Sequence, residues 1–474
     1  MNDLWFLFLR DRANITFPIG LVLAAFVTVH VLLNKREVAS AVGWIGFAWF
    51  APITGSLVYA LLGVNRVQRR AQLLRPQDRR RINGDDWPSP WDDDNLDSLR
   101  RGVGRLTGRK LLPGNSLEIF QNGDAAYPPM LACIATARSS IGLSSYIFRN
   151  DQWGGKFIEA LIAAQQRGVE VRVLIDGIGG GWLLSRAYRR LRRHGVPAAR
   201  FLHSLLPWRM PFLNLRSHRK VLVIDGTIGF TGGMNIGDEN VLATQPKKPV
   251  QDTHFRVEGP VVCQLTAAFA QDWAFVTNEN LDGDAWFPDL MEPGRAPARV
   301  VDSGPDESIE KVEFSILQAA ACARSSIEVM TPYFLPDERM ITALALAAMR
   351  GVAVDVVVPA HSNKTSVDRA TRANIGPLLK AGVNIWQSPP PFRHSKVMVV
   401  DQEWCLVGST NWDIRSFRLN FELCVEVYDK GLAEALGAVM AASRGAALTE
   451  ADIARRSLAG RLRDAAWRLL MPYL

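Results

Sequence analysis

Three stretches of this 474-residue chain return further along in the same order, and that repetition limits what it can fold into. ARSSIGLSSYIF (137–148) returns as ARSSIEVMTPYF (323–334), and RGVEVRVLID (167–176) as RGVAVDVVVP (350–359). HRKVLVID (218–225) returns as HSKVMVVD (394–401), 176 positions later. Matches in a constant order over so long a period mark a duplicated domain of roughly 190 residues rather than a short solenoid repeat.

Each copy reads alike. An apolar β-rich run leads into a helical pattern that stops at glycine, GGKFIEALIAAQQRG or DERMITALALAAMRG. A continuous apolar strand follows, then more helix, then the His-Lys strand. Strands alternating with helices, and reading as unbroken Val/Ile/Leu runs, predict an α/β fold of two α-β-α sandwiches. The expected divisions are 113–300 and 301–450, with a linker over 67–112 and a tail over 451–474. At this length about two to three domains and a sizeable core are expected.

Residues 1–66 read differently. ITFPIGLVLAAFVTVHVLL (15–33) and SAVGWIGFAWFAPITGSLVYALLGV (40–64) carry no formal charge and are joined by only NKREVA. Each is long enough to cross a hydrocarbon core of about 30 Å, which predicts a two-helix transmembrane hairpin. A signal peptide would be shorter and would not be followed by a second span. His30, inside the first span, is expected to be a neutral, tolerated histidine. Arg10 and Arg12 precede the first span, and Arg66, Arg69, Arg70, Arg75, Arg79, Arg80 and Arg81 follow the second. The turn holds only Lys35 and Arg36 against Glu37, so both ends and the large C-terminal part are expected on the cytoplasmic side.

The formal charge of +8 and pI near 9.4 point to an anionic partner, either nucleic acid or an acidic membrane surface. The two spans favour the membrane and its anionic lipids, with the arginine cluster beside them. Cys133, Cys263, Cys322, Cys405 and Cys424 form no CxxC and no metal-ligand spacing, which argues against a disulfide scaffold and for reduced thiols. The tail RRSLAGRLRDAAWRLLMPYL spaces Leu458, Leu462, Ala465 and Leu469 at helical intervals among arginines. It reads as a basic amphipathic helix lying on the membrane surface or on the protein itself. FLHSLLPWRMPFLNL (201–215) is either an interfacial rim or ordinary core around a proline turn.

Chemistry concentrates in the His-Lys strings. On a strand, His218 and Lys220 project to one side, and His394 and Lys396 likewise. Asp225 lies at an odd separation from His218, which suits it to fix backbone rather than its own imidazole. Downstream, TGGMN places Gly232, Gly233 and Asn235, and GSTN places Gly408, Ser409 and Asn411; each Asn follows its His by 17 positions. Glycines admit backbone N–H groups to an anion, and Asn, Ser and Lys donate to non-bridging phosphoryl oxygens. Burying Lys and His without function is costly, so a structural role accounts poorly for the doubled string.

The paired HxKxxxxD strings resemble the phospholipase D superfamily, in which two such motifs form one active site. FLNLRSHRKVLVIDG, TGGMNIGDEN and GSTNWDIRSFRLNFE are similar to the bacterial cardiolipin synthases of that superfamily, and the likeness covers almost the whole chain. One departure is Gly233, where many members carry serine, as this chain does at Ser409. The resemblance implies a catalytic set of His218, Lys220, Asp225, His394, Lys396 and Asp401, with Asn235, Asn411 and Ser409 binding substrate. By family analogy His218 is the nucleophile and His394 the acid/base, which the residues alone do not distinguish. The family points to Asp252 as the residue orienting His218 and to Glu422 as the one orienting His394. It implies phosphatidyl transfer between two phosphatidylglycerols, giving cardiolipin and glycerol through a phosphohistidine, in the inner membrane of a bacterium. No cofactor and no metal is expected. Competing readings are a phospholipase D hydrolase or headgroup exchanger, a membrane-tethered nuclease, and a non-catalytic scaffold. The two spans and the absence of aromatic stacking platforms in a basic groove argue against nucleic acid, and the intact His-Lys pairs against a scaffold.

Overall fold

The computed structural model describes residues 2–35, 38–63, 96–203, 215–305 and 310–471. The arginines at 66–81, most of the 67–112 linker and residues 204–214 of the apolar segment lie outside them. The chain divides into two compact units, one holding the N-terminal helices and one holding the sheet.

In the N-terminal unit α1 runs Asn2–Asn34, and its Thr16–Asn34 stretch is long and apolar enough to cross a membrane, with mean hydropathy 2.2. The second apolar stretch departs from the expected single helix of 25 residues. It forms α2 (Val38–Phe50), breaks at Ala51, and resumes as α3 (Pro52–Val58) and a π-helical turn, Tyr59–Gly63. Pro52 causes the break: it offers no N–H to the preceding turn and disfavours helical backbone at Ala51, which sits at φ −132°. His30, expected to be merely tolerated, has its Nδ1 2.7 Å from the Tyr59 hydroxyl.

The second unit is organised by one mixed sheet, of sixteen strands among the described residues. After α4 (Asp97–Thr107) its first part contains β1 (Leu112–Gln121), α5 (Asn122–Thr136), β2 (Ser140–Ser145), α6 (Gln152–Gln166) and β3 (Glu170–Asp176). Then come α7 (Arg186–Arg193), β4 (Ala198–Phe201), β5 (Arg216–Ser217), β6 (Val221–Ile224), β7 (Ile228–Gly232), β8 (Thr253–Glu258) and α8 (Val262–Thr277). The later part contains β9 (Ala296–Ser303), α9 (Lys311–Cys322), β10 (Ser326–Met330), α10 (Glu338–Met349), β11 (Ala353–Pro359), α11 (Thr365–Asn374) and β12 (Asn384–Ser388). It closes with β13 (Val397–Val400), β14 (Trp404–Gly408), α12 (Ile414–Arg418), β15 (Asn420–Tyr428), α13 (Lys430–Ala442), β16 (Ala447–Leu448) and α14 (Leu458–Arg468).

The antiparallel pair β9–β1 lies at the middle of the sheet. Outward from β1 the order is β8, β7, β6, β2, β3, β4, and outward from β9 it is β15, β14, β13, β10, β11, β12, β16. The outer trios β2–β3–β4 and β10–β11–β12 are parallel, and the inner strands antiparallel. The first parallel crossover on each side, β2 to β3 and β10 to β11, is made by a helix whose start and stop are written in the sequence. Asp151 and Asp337 cap α6 and α10 by accepting the N–H of Gly154 and Met340. Gly168 and Gly351, at φ +89° and +93°, turn the chain out of those helices into β3 and β11, a conformation that favours glycine.

A separate apolar core serves each side. Ile141, Val171, Val173 and Leu222 pack with Phe157 and Leu161, while Ile327, Val354, Val356 and Met398 pack with Leu344 and Ile316. Helix α4, inside the expected linker, buries Leu99 and Val103 in the second of these cores. At the centre, Arg299 of β9 pairs with Glu426 of β15, both fully buried. None of the five cysteines forms a disulfide.

Candidate active site

Backbone pairing between the two sides of the sheet builds the site. β5 runs parallel to the start of β15, Arg216 beside Asn420 and Ser217 beside Phe421, and the His218 N–H donates to the Phe421 carbonyl at 2.8 Å. On the other side, Phe392 and Arg393 pair with Val250 and Gln251, and the His394 N–H donates to the Gln251 carbonyl at 2.7 Å. Each histidine is therefore delivered next to a strand of the opposite side, just ahead of its own strand, β6 or β13.

This pairing decides which carboxylate each imidazole meets. His218 Nδ1 lies 3.0 Å from Glu422 Oε1 and 3.1 Å from Oε2, with the Ser409 carbonyl at 3.0 Å. His394 Nδ1 lies 2.8 Å from Asp252 Oδ2. The expected assignment, Asp252 with His218 and Glu422 with His394, is reversed: both carboxylates do hold imidazoles, but each holds that of the other copy. With only acceptors around His218 Nδ1, that nitrogen carries the proton and Nε2 is left with its lone pair.

The lysines close in beneath. Lys220 Nζ donates to the His218 carbonyl at 2.7 Å, and Lys396 donates to the His394 carbonyl with its Nζ 2.8 Å from His394 Nδ1. His218, Lys220, His394, Lys396, Asp252 and Glu422 are all buried. Asp225 and Asp401 have a different task. Asp225 accepts the backbone N–H groups of Arg138, Ser139 and Ser140, and Asp401 those of Arg324, Ser325 and Ser326. Their side chains staple the turn after each His-Lys strand to the start of β2 or β10, so their grouping with the catalytic residues is corrected to a positioning role.

Ser409 is likewise engaged. Its hydroxyl donates to Glu422 Oε2 at 2.5 Å, so it braces the carboxylate under His218 instead of presenting itself to a substrate. The matching position, Gly233, explains the departure from the family pattern. Gly232 registers with His254 and Gly408 with Cys424, so Asp252 and Glu422 occupy equivalent places. A Cβ at Gly233 would lie 2.3 Å from Asp252 Oδ1. The shorter aspartate occupies the space in which the second copy has a serine side chain. Asn235 is anchored through Oδ1, which accepts the Ile147 N–H at 3.1 Å, and Asn411 Nδ2 lies 3.4 Å from Ser416 Oγ.

Electrostatics make the two sides unequal. Burial drives His218 well below its ordinary pKa, and Lys220 and Lys396 add to the effect. Burial and Lys396 push His394 down to about 4 against its hydrogen bond to Asp252. Burial also lowers Lys220 to about 7 and Lys396 to about 8, with Glu422 and Asp252 respectively opposing. It raises Glu422 to about 7 although Lys220 opposes. Burial acts the same way on Asp252, but Lys396 and the His394 hydrogen bond outweigh it and hold that carboxyl below its ordinary range. Two neutral imidazoles thus sit over one firmly ionised carboxylate and one that titrates near neutrality.

Three further groups shape the site and were not singled out from the sequence. The Tyr146 ring meets His218 edge-on at 5.1 Å, and the Tyr333 ring meets His394 edge-on at 6.3 Å. Both tyrosines belong to the first repeated string (SSYIF and TPYF), so an aromatic doubled at a strand end was the available signal. Asp176, ending β3, accepts the Ser217 N–H at 2.9 Å and those of Ile178 and Gly179, fixing the approach to His218. Among the described residues no group of three or more His, Cys, Asp and Glu side chains is placed to hold a metal ion.

The family described as "Cardiolipin synthase, PLD-like domain" matches residues 130–273 and 316–442, one match on each side of the sheet. "Cardiolipin synthase 2" of Staphylococcus epidermidis is 31% identical over 98% of this chain and 99% of its own length. "Cardiolipin synthase 1" of Bacillus anthracis is 30% identical over 84% of this chain and 82% of its own. In fold, the crystal structure of a Haemophilus influenzae phosphatidylserine synthase superposes with a TM-score of 0.60, covering 80% of this chain and all of that one at 14% identity. The chain belongs to the cardiolipin synthase family of phospholipase D-like proteins.

Proposed function

We propose that the chain is a phosphatidyl transferase that joins two phosphatidylglycerols into cardiolipin and releases glycerol. The observation that carries this reading is the pair of buried imidazoles, each backed by a carboxylate and flanked by a lysine. His218 Nε2 attacks the phosphorus of the first lipid, forming a P–N bond as the P–O bond to glycerol breaks. His394, as imidazolium, gives the leaving oxygen its proton. It then takes the proton of the second lipid's hydroxyl, whose oxygen displaces His218 and restores the enzyme. The anionic phosphodiester between Lys220 and Lys396 offsets the cations that depress His394, so the imidazole can hold the proton it passes on. Asp252, kept ionised, supports a cation on His394, and Glu422, titrating near neutrality, suits a neutral His218. Lys220 and Lys396 meet the charge that develops on the equatorial oxygens, and Asn235 and Asn411 lie in matching places to do the same.

The duplicated sandwiches are read as 113–300 and 301–450, a division supported by the two family matches and the mirrored strand order. Residues 1–66 are read as a hairpin in the bacterial inner membrane with the catalytic unit on the cytoplasmic side, on the strength of the apolar Thr16–Asn34 span and the flanking arginines. Purified enzyme given pure phosphatidylglycerol tests the reaction: cardiolipin and glycerol in equal amounts are expected. Phosphatidic acid without cardiolipin would replace the synthase reading with a hydrolase.

A further inference from the structure

Two exposed apolar edges flank the site, one on each side of the sheet. The first follows β3. Trp182, Leu183 and Leu184 form an outward tip in which the leucines are 64% and 65% exposed. This tip is held, not loose: Arg200 Nη2 donates to the carbonyls of Gly177 and Trp182 at 2.7 and 2.8 Å, and His203 Nε2 lies 2.9 Å from the Trp182 carbonyl. The basic helix α7 leaves directly from the tip, with Arg186 and Arg189 exposed.

The second edge is α14, which packs along α11. Its inner face carries Trp467 and is extended by Met471, which pack with Leu335, Val367 and Ala370 against Tyr333, the ring that meets His394. Asp464 is buried on that face and pairs with Arg456 at 2.8 Å. The outer face is the reverse of a soluble surface: Leu458, Leu462 and Leu469 are 68%, 63% and 77% exposed, with Arg461 and Arg468 exposed among them.

Both edges belong to the same end of the sheet. β3 and β11 are equivalent strands, and the chain leaving their C-terminal ends forms the tip in one case and leads into α11, which carries α14, in the other. Asp176 at that end of β3 holds Ser217, and Tyr333 beneath α14 meets His394, so this is also the end where the imidazoles stand. Apolar side chains ringed by arginines match an anionic lipid surface, which takes leucine below its headgroups and arginine at them.

We propose that the sheet unit rests on an anionic bilayer through these two edges, the Trp182–Leu184 tip and the Leu458–Leu462–Leu469 stripe, so that the end of the sheet where the two histidines stand faces the headgroups. The occupant is lipid, not a second copy of the chain.

The test uses the full chain in vesicles and reads no activity. Cys133, Cys263 and Cys322 are replaced by serine, and the buried Cys405 and Cys424 are kept. An environment-sensitive fluorophore is placed singly at L183C, L462C or M349C; Met349 is 70% exposed at the opposite end of the sheet, just before β11. In phosphatidylserine–phosphatidylcholine vesicles, labels at 183 and 462 are expected to shift to the blue and to be quenched by spin-labelled lipid, while 349 stays water-like. Emission at 183 and 462 matching that at 349 would overturn the proposal. A blue shift without lipid quenching would also overturn it, by assigning the edges to protein contact. Equal quenching in pure phosphatidylcholine would overturn the anionic preference.

Discussion

His218 and Glu422 stand 204 positions apart in the chain and 3.0 Å apart at the site. The reciprocal pair, His394 and Asp252, is 142 positions apart and 2.8 Å apart. The site is thus an exchange of carboxylates between two copies of one unit. On the proposed mechanism, an ionised Asp252 and a Glu422 that burial lifts to about 7 give the two histidines different roles, His218 as nucleophile and His394 as acid.

That separation has a kinetic signature. Asp252→Asn removes the support for a cation on His394, and a loss of about 10²–10⁴ in transfer rate is expected. A donor whose leaving group needs no proton, such as a nitrophenyl phosphodiester, should restore the first step in Asp252→Asn and in His394→Asn, releasing nitrophenolate and leaving the donor's phosphoryl ester trapped on His218. Phosphopeptide mapping that finds the label on His394 would reverse the two roles.

Gly233→Ser supplies the side chain that the second copy has at Ser409. Its Cβ would enter the space of Asp252 Oδ1, so the carboxylate must move off His394. The variant is expected to fold, since the strand is otherwise unchanged, and to lose about tenfold or more in kcat as general-acid support weakens. Transfer at the parent rate, with circular dichroism unchanged, would remove the packing explanation for this glycine.

A third expectation concerns pH. Burial lowers Lys220 to about 7 and Lys396 to about 8, and each is cationic only below its value. As pH rises through that window the site loses the charges that receive an anionic phosphodiester, so kcat/KM should fall on the alkaline side. A profile of kcat/KM against pH that stays flat to pH 9 would contradict it.

The central ion pair makes a stability prediction. Arg299 and Glu426 are fully buried, and Arg299 also donates to the carbonyls of Arg100 and Arg109. Arg299→Ala leaves Glu426 buried without its cation, held by the hydrogen bonds from Trp404 Nε1 and the Tyr428 hydroxyl, a loss of about 3–5 kcal/mol by denaturant titration. Replacing both by apolar residues should recover much of that loss, because the orphaned charge goes too.

The doubled strings, the helix caps and the apolar strand runs made the α/β character and the His-Lys sites legible before any coordinates. Asp252 and Glu422 entered as the carboxylates on the imidazoles only through the family resemblance. Their partners were not legible, because partner choice depends on β5 lying beside β15 and Val250–Gln251 beside Phe392–Arg393, pairings between segments more than 140 positions apart. The role of Ser409 was hidden for a more local reason: its hydroxyl is taken up by Glu422, 13 positions on, which the β14–β15 pairing brings alongside. In the N-terminal region apolar length alone implied one long second helix, and the local geometry of Pro52 divided it. Tyr146 and Tyr333 were visible as a doubled aromatic, but nothing in a linear string says that the two rings end against imidazoles.

The crossed carboxylates carry a consequence for how such a chain can change over time. A substitution at Asp252 is felt by the imidazole of the other half, and one at Glu422 likewise, so neither repeat can drift as a self-contained unit. Across relatives, position 252 should vary in step with 394 and 233, and position 422 with 218 and 409, while pairs within one repeat vary more freely. A gene cut between the halves would yield two fragments, each holding a histidine without its base, and function would return only when the fragments found each other.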